Sequence, residues 1–206
     1  MSSTKDNTKI SSIFNLEEQI IFYGSYHSNV INKAIHMICV WPILWTALAL
    51  FASLGVVAMP AVIADNLPLK LDAWNLHIAT PLMLVYGVVY CVMDPLAGGL
   101  ATVMIVACYV TSNLWIAGGG VPTIAGAIHV LCWLAQFYGH GVHEGRAPAL
   151  LDNFFQAFLA SPLFVLLEVL FEFGYKKELY KRVQEQVSLN IAEYQATQGN
   201  KVKKEQ

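Results

Sequence analysis

The sequence predicts an all-α integral membrane protein, a compact bundle of four transmembrane helices, or five if the last apolar run also crosses. Hydrophobic residues make up 56% of the 206 residues, and charged residues only 13%. The mean hydropathy is +0.52, and the apolar residues form runs too long for the helices of a soluble domain. A net charge of −2 gives no indication of a nucleic-acid partner.

The polar N-terminal segment predicts a tail and then an amphipathic helix. Residues 1–14 are expected to be disordered, and residues 15–174 to form the membrane domain. Asn15 is a candidate helix cap, with carboxylates in the turn that follows it. Residues at helical spacing form the apolar face of this helix: Leu16, Ile20, Tyr23 and His27.

Five apolar runs follow the amphipathic helix, and short connections make consecutive runs antiparallel neighbours. The fifth run contains Glu168 and Glu172, which are costly in lipid, so we expect it to be re-entrant or interfacial. Lysines before the first run and after the fifth favour two cytosolic ends, which requires an even number of crossings. The runs lie at about 37–63, 76–93, 96–117, 121–138 and 154–173.

The C-terminal residues 175–206 predict an amphipathic surface helix and a polar tail that is disordered from Gln195. The last four residues, Lys203 to Gln206, resemble the dilysine signal that returns membrane proteins to the endoplasmic reticulum. We therefore expect a multi-pass protein of that membrane with both termini in the cytosol. The four cysteines lie in apolar stretches without CxxC spacing, which is typical of small buried hydrophobes.

Four of the six histidines lie in two polar segments next to apolar runs, and the predicted topology places both segments on the cytosolic side. His77 falls on the opposite side, where we interpret it as an interfacial histidine. Nine residues separate His27 from His36, so one continuous helix would place them on opposite faces, ~13 Å apart along the axis. Sharing a metal requires a break between them, and residues 28–32 offer two turn-forming asparagines.

The second segment would form one polar stripe if it is helical, with Gln136, His140, His143 and Glu144 on it. An imidazole and a carboxylate from this stripe, added to the first pair, would give the open nitrogen and oxygen site that non-haem Fe(II) uses with dioxygen. Glu144 could instead accept a hydrogen bond from His140 and orient its ring without binding the metal itself. His129, ~16 Å deeper, is too far from His140 to share one iron with it through a straight helix, so it is a doubtful metal ligand. It is either hydrogen-bonded to a neighbouring span or part of a substrate channel or of a deeper site.

Two long motifs carry a resemblance to a known family. They are YHSNVINKAIH, from Tyr26 to His36, and WLAQFYGHGVHEGRAPAL, from Trp133 to Leu150, followed by DNFFQ at 152–156 and PLF at 162–164. From about Tyr23 to Gly174 the chain resembles the Mpo1-like family of small membrane proteins. Characterised members of that family are Fe(II)-dependent 2-hydroxy fatty acid dioxygenases.

The resemblance implies that a long-chain 2-hydroxy fatty acid and O₂ give CO₂ and a fatty acid one carbon shorter, in α-oxidation and phytosphingosine breakdown. It implies Fe(II) as cofactor and membrane lipid as surroundings. The residues that it carries over fall into three roles. The iron ligands are His27, His36 and His140, the catalytic residues are Glu144 and Gln136, and the substrate-binding residues are Arg146, Asn29 and Asn32.

Some of these assignments have alternatives in the sequence. His143 stands where the family has an apolar residue, which argues against it as a ligand. Arg146 is either a bidentate partner of the substrate carboxylate or a positive-inside anchor. Two other functions compete: a di-iron hydroxylase or desaturase, which needs more histidines than the six present, and a non-catalytic lipid-binding or scaffold protein whose histidines cap helices.

Overall fold

The computed structural model describes residues 14–55, 76–148 and 154–205. Regular structure in these ranges is helical, which confirms the predicted all-α class. A six-residue π-helical turn, Gly139–Glu144 (the π-turn), follows α5 directly. The α-helices are α1 (Leu16–Tyr26), α2 (Val30–Ser53), α3 (Thr80–Met93), α4 (Pro95–Ala117), α5 (Pro122–Tyr138), α6 (Phe154–Glu172) and α7 (Lys177–Glu205).

Side-chain caps fix where the first two helices begin. The Asn15 side chain accepts a hydrogen bond from the Glu18 N–H at the start of α1, as the sequence predicts. Asn29 does the same for α2, accepting from the N–H groups of Ile31 and Asn32. A capping asparagine satisfies backbone donors that have no partner in the first turn. The predicted break between His27 and His36 is therefore confirmed, and Asn29 is the residue that restarts the helix.

Helices α3 and α4 form a tight antiparallel pair. Asp94 ends α3 and caps α4 by accepting from the N–H groups of Leu96 and Ala97, and Pro95 occupies the first helical position, where its missing N–H costs nothing. A Cβ at Gly98 would overlap the Tyr90 backbone. Only glycine allows the two helices to approach this closely.

The remaining helices enclose α2. Helix α2 packs along α4 and α5, while α6 crosses α2 and α4 and α1 lies mainly on α7. Two buried tyrosines of α3 anchor α6, because Tyr86 and Tyr90 donate their hydroxyls to the carbonyls of Phe158 and Leu159 at 3.0 and 2.6 Å. An ion pair between Lys33 and Glu168, 2.9 Å from nitrogen to oxygen, joins the start of α2 to α6.

The apolar helices indicate a membrane protein. In the part of the chain that the structure describes, α2 and α4 are long and apolar enough to cross a bilayer, and a third span exists if α6 and the first part of α7, bent by 114°, form one broken span. Helix α3, at 14 residues, is shorter than a typical span. The number of four crossings stays a prediction.

Several predicted boundaries were wrong. The first span begins at Val30, seven residues before the predicted start, because the Asn29 cap starts a helix within polar sequence. The chain from Gln195 is helical through Glu205 and not disordered, since alanine, glutamine, glutamate and lysine are good helix formers despite their polarity. The prediction that all four cysteines are buried was also wrong, because Cys91 is exposed on the apolar outer face of α3. The N-terminal tail and residues 56–75 lie outside the described residues.

Candidate metal centre

Three buried histidines meet where the ends of three helices converge. His27 caps the C-terminus of α1, His36 lies in the second turn of α2, and His140 lies in the π-turn. The ring centroids are 4.4, 4.8 and 4.9 Å apart, and one nitrogen from each ring lies within 4.8 Å of the other two. The rings are 7%, 5% and 3% exposed. This spacing fits one metal ion shared by three imidazoles.

Backbone carbonyls set the proton positions in two of the rings. His27 Nδ1 lies 2.8 Å from the Tyr23 carbonyl, and His36 Nδ1 lies 2.9 Å from the Asn32 carbonyl. A carbonyl oxygen only accepts, so Nδ1 carries the proton in both rings and Nε2 keeps a free lone pair. Metal-binding histidines use this arrangement to fix their tautomer and orientation.

His140 has a buried ring nitrogen without a hydrogen bond. Its Nδ1 lacks a partner within the described residues, although leaving a buried polar atom unsatisfied costs about 1–3 kcal/mol. Burial, and then the neighbouring His36, lower the pKa of His140 to about 4. Burial also holds the pKa of His27 well below its usual value. Both rings are therefore neutral at pH 7, the state in which imidazole binds a metal.

Glu144 joins the two histidine segments through four hydrogen bonds (the Glu144 bridge). Its carboxylate accepts from the N–H groups of Ser28 and Asn29 at 2.9 and 3.0 Å, from Asn32 Nδ2 at 3.1 Å, and from the Ser28 hydroxyl. Burial raises the pKa of Glu144, but these four donors outweigh burial and the net pKa is lowered. The carboxylate is therefore ionised and holds the π-turn against the start of α2.

The π-turn brings His140 toward the other histidines and turns His143 away. Gly139 lies so close to Asn32 that a Cβ would overlap the Asn32 side chain. The turn ends at Gly145 in the left-handed conformation, φ 65°, which favours glycine. The single polar stripe expected of a regular helix does not form here, because π-helical bonding begins at Gly139, one of two glycines in the segment that could break the stripe, and changes the direction of each side chain. His143 packs its ring on Tyr138, outside the cluster.

An apolar cavity of about 120 Å³ runs from the histidines into the bundle. One face of α2 lines it from His36 to Phe51, a distance of roughly 22 Å at 1.5 Å per residue. One leaflet of membrane hydrocarbon is ~15 Å thick, so the face of α2 that lines the cavity is longer than one leaflet. The remaining wall comes mainly from α1, α3, α5 and α6, including Tyr23, Leu82, Tyr86, Trp133, Phe137, Pro162 and Phe164.

Gln136 is a polar group of this cavity that sequence reasoning predicted. It lies one turn before His140 and is 7% exposed, and its Nε2 has no hydrogen-bond partner within the described part of the chain. The side chains that line the cavity in the described segments include no lysine or arginine. The polar groups that an anion would meet in this cavity therefore include the Gln136 amide and the histidine rings, and no lysine or arginine of the described lining.

The expected substrate-binding residues lie outside the cavity. The Arg146 guanidinium lies 3.5 Å from the Tyr26 ring and 4.4 Å from the Tyr194 ring, and donates to the Ser25 carbonyl at 3.0 Å. Asn29 caps α2, and the Asn32 amide donates to Glu144. The structure uses these three side chains to hold the histidine segments together.

The two remaining histidines are outside the three-histidine cluster. His129 lines the cavity, and its Nε2 accepts from Trp133 while its Nδ1 pairs with Thr46 of α2. The hydrogen bond to a neighbouring span is therefore confirmed, and a part in a substrate channel stays a prediction. His77 stacks on Tyr109 at the other end of α4. Sequence reasoning missed Ser28, which has no spacing that signals its role. Tyr23, predicted on the same helix face as His27, stacks on that ring at 4.0 Å.

The sequence is similar to those of a known family of proteins. The family model described as 2-hydroxy-palmitic acid dioxygenase Mpo1-like matches residues 13–173, which include the three histidines and end before α7. The chain is 27% identical over 170 residues to 2-hydroxy-palmitic acid dioxygenase MPO1 of Saccharomyces cerevisiae, covering 81% of this chain and 86% of the yeast protein. No solved structure matches. This chain belongs to the Mpo1-like family.

Proposed function

We propose that this protein is an Fe(II)-dependent dioxygenase that shortens long-chain 2-hydroxy fatty acids by one carbon. The observation that carries the proposal is the cluster of three buried histidines at the end of an apolar cavity that α2 lines from His36 to Phe51. Membership of the family and similarity to a protein named 2-hydroxy-palmitic acid dioxygenase support it. The substrates are the 2-hydroxy acid and O₂, and the products are CO₂, water and the shortened acid.

The proposed reaction balances without an external reductant. The bond between C1 and C2 breaks, C1 leaves as CO₂, and C2 is oxidised from an alcohol carbon to a carboxyl carbon. The substrate supplies all four electrons that reduce O₂, whose two oxygen atoms are accounted for among the shortened acid, CO₂ and one water. Fe(II), when bound by His27, His36 and His140, supplies coordination of the hydroxy acid and activation of O₂.

The protein side chains bind and orient the substrate. The alkyl chain lies against the apolar face of α2 between His36 and Phe51, and burial of each CH₂ contributes about 0.8 kcal/mol. Gln136 Nε2, which has no hydrogen-bond partner among the described residues, donates to an oxygen of the head group beside His140. The apolar walls exclude water from the reacting carbons. The alkyl chain along α2 and the Gln136 hydrogen bond together orient the head group relative to the histidines.

A metal and product assay tests the proposal. Protein purified in detergent without oxygen is loaded with Fe(II), its iron content is measured, and it is incubated with a labelled 2-hydroxy acid and O₂. We expect about one iron per chain and an acid one carbon shorter, detected by mass spectrometry. Alanine in place of His27, His36 or His140 should lower turnover by more than the ~10–100-fold typical of losing an outer partner.

The outcome separates the competing functions. Two irons per chain would favour the di-iron class, and absence of iron with absence of product would leave the non-catalytic reading. Full turnover by His140→Ala would refute the site assignment even if the wild-type protein forms the product. Gln136→Glu offers a further check, because a carboxylate beside the anionic head group should raise KM while the three histidines remain in place.

We also propose that the protein resides in the endoplasmic reticulum membrane with both termini in the cytosol. The lysine-rich C-terminus supports this, as does the positive charge on both sides of the apolar region. Protease treatment of sealed microsomes tests it, using epitope tags at each end. Removal of both tags is expected, and protection of either tag would refute the orientation.

A further inference from the structure

The last turn of α1, which ends at His27, is held from outside the cavity by α7. Gly24 faces Val187 of α7, whose Cγ2 would lie 2.9 Å from a Cβ at position 24. Asn190 donates its amide to the Ser25 hydroxyl at 3.0 Å. The buried side chains of Val183 and Val187 belong to the same apolar cluster as Leu16, Ile20 and Tyr23 of α1.

Arg146 adds a second connection to the same turn. Its guanidinium stacks on Tyr26 of α1 and on Tyr194 of α7, and it donates to the Ser25 carbonyl. A planar guanidinium between two rings makes contacts that a lysine cannot reproduce. Arg146 follows the π-turn that carries His140, so this stack connects α7, the end of α1 and the π-turn.

The last turn of α1 sets the position of His27 through two hydrogen bonds. The ring is oriented by the Tyr23 carbonyl, and the His27 N–H donates to the Gly24 carbonyl at 3.1 Å. Both partners belong to the last turn of α1. A shift of this turn therefore moves the His27 nitrogen relative to His36 and His140, which lie on α2 and the π-turn.

We infer that α7, through Val187, Asn190 and Tyr194, together with Arg146, positions His27 for metal binding. Helix α7 begins at Lys177, beyond the segment 13–173 that the family model matches. These are positioning residues, since none of them lines the cavity and Arg146 reaches the cluster only through its N–H, which donates to the His140 carbonyl at 3.3 Å. The inference rests on the proposed function, because it presumes that the three histidines bind a metal.

The test measures Co(II) affinity of the intact chain, using CoCl₂ and its visible absorption in oxygen-free detergent solution. Tyr194→Ala removes one face of the arginine stack, and Leu189→Ala removes a 63% exposed side chain from the opposite face of α7 as a control. We expect Tyr194→Ala to raise Kd about tenfold with unchanged stoichiometry, and Leu189→Ala to leave Kd unchanged. Excess metal should restore turnover in Tyr194→Ala, which loss of folding would not allow.

A pair of substitutions keeps the test informative if Tyr194→Ala fails to fold. Gly24→Ala should push α1 away from α7 and raise Kd several-fold, although alanine favours the helix. Adding Val187→Ala removes both methyl groups and leaves the Val187 Cβ position 3.9 Å from the new Cβ, so Kd should return toward the wild-type value. Equal Kd in all folded variants, or no recovery in the double variant, would overturn the positioning role. Absence of Co(II) binding by the wild-type protein would instead overturn both this role and the proposed function.

Discussion

Replacing Glu144 with glutamine tests how the two histidine segments are joined. Glutamine keeps the size of the side chain but replaces one carboxylate oxygen with a donor. Each oxygen of Glu144 accepts two hydrogen bonds, so the substitution leaves two donors facing an NH₂ group. It also removes a negative charge beside the N-terminus of α2, where the helix dipole favours an anion.

The expected cost follows from these contacts. Hydrogen bonds to a charged group contribute about 1.5–3 kcal/mol each, but Glu144 is only partly buried and water replaces part of what is lost. We therefore expect Glu144→Gln to reduce the free energy of unfolding by about 2 kcal/mol. For a chain of 150–250 residues this lowers Tm by roughly 4–8 °C, and Co(II) affinity should fall by about tenfold as the π-turn separates from α2.

Differential scanning fluorimetry in detergent measures the shift in Tm, and visible absorption of Co(II) measures Kd. Glu172→Gln makes the same chemical change at an exposed carboxylate and serves as the matched control. A shift in Tm of less than about 1 °C relative to this control, with Kd unchanged, corresponds to under about 0.5 kcal/mol. That result would refute the idea that Glu144 holds the site together.

Three further predictions concern other parts of the molecule. His77→Ala should keep iron content and turnover, measured as above, because His77 stacks at the far end of α4; a loss of iron would contradict the three-histidine site. Asp94→Asn should lower Tm at pH 7. Burial raises the pKa of Asp94, but hydrogen bonds from Lys176 and other donors outweigh burial and lower this pKa below 3.8. The stabilisation by the carboxylate is therefore full above pH 3.8 and disappears as pH falls through the folded-state pKa. Asp94→Asn and wild-type Tm should therefore converge in acid, and a constant difference would contradict the linkage. Ala47→Phe, which fills the cavity wall on α2, should shift turnover toward shorter 2-hydroxy acids in a chain-length series, and an unchanged profile would show that the chain lies elsewhere.

A local side chain determines where several of the helices begin. Asn15 was predicted as a cap and forms one. Asn29, predicted only to form a turn, and Asp94 also cap helices, and all three belong to residue types with a strong preference for that position. The break between His27 and His36 follows from helix geometry once the two side chains are expected to share a metal. Local chemistry of this kind depends on three or four neighbouring residues, so it can be read without knowing the fold.

Partners that are distant in sequence could not be assigned in this way. Glu144 has the spacing of a residue that could orient His140, but its partners are Ser28, Asn29 and Asn32, more than a hundred positions earlier. Arg146 has the charge expected of a carboxylate-binding residue, yet it stacks on tyrosines. In both cases the side chain has several chemically sensible partners, and only the packing of helices selects one.

The backbone bonds of His27 and His36 have a thermodynamic consequence for the whole bundle. Because each ring is already fixed by a carbonyl four residues earlier in its own chain segment, little rotamer entropy remains to be lost when a ligand arrives. The ordering that metal binding still requires is that of α1, α2 and the π-turn relative to one another. A bound ion at one hundred times its Kd stabilises the state that binds it by about 2.7 kcal/mol. Iron bound as proposed would therefore stabilise the packing of α1, α2 and the π-turn against one another, and its removal should lower Tm.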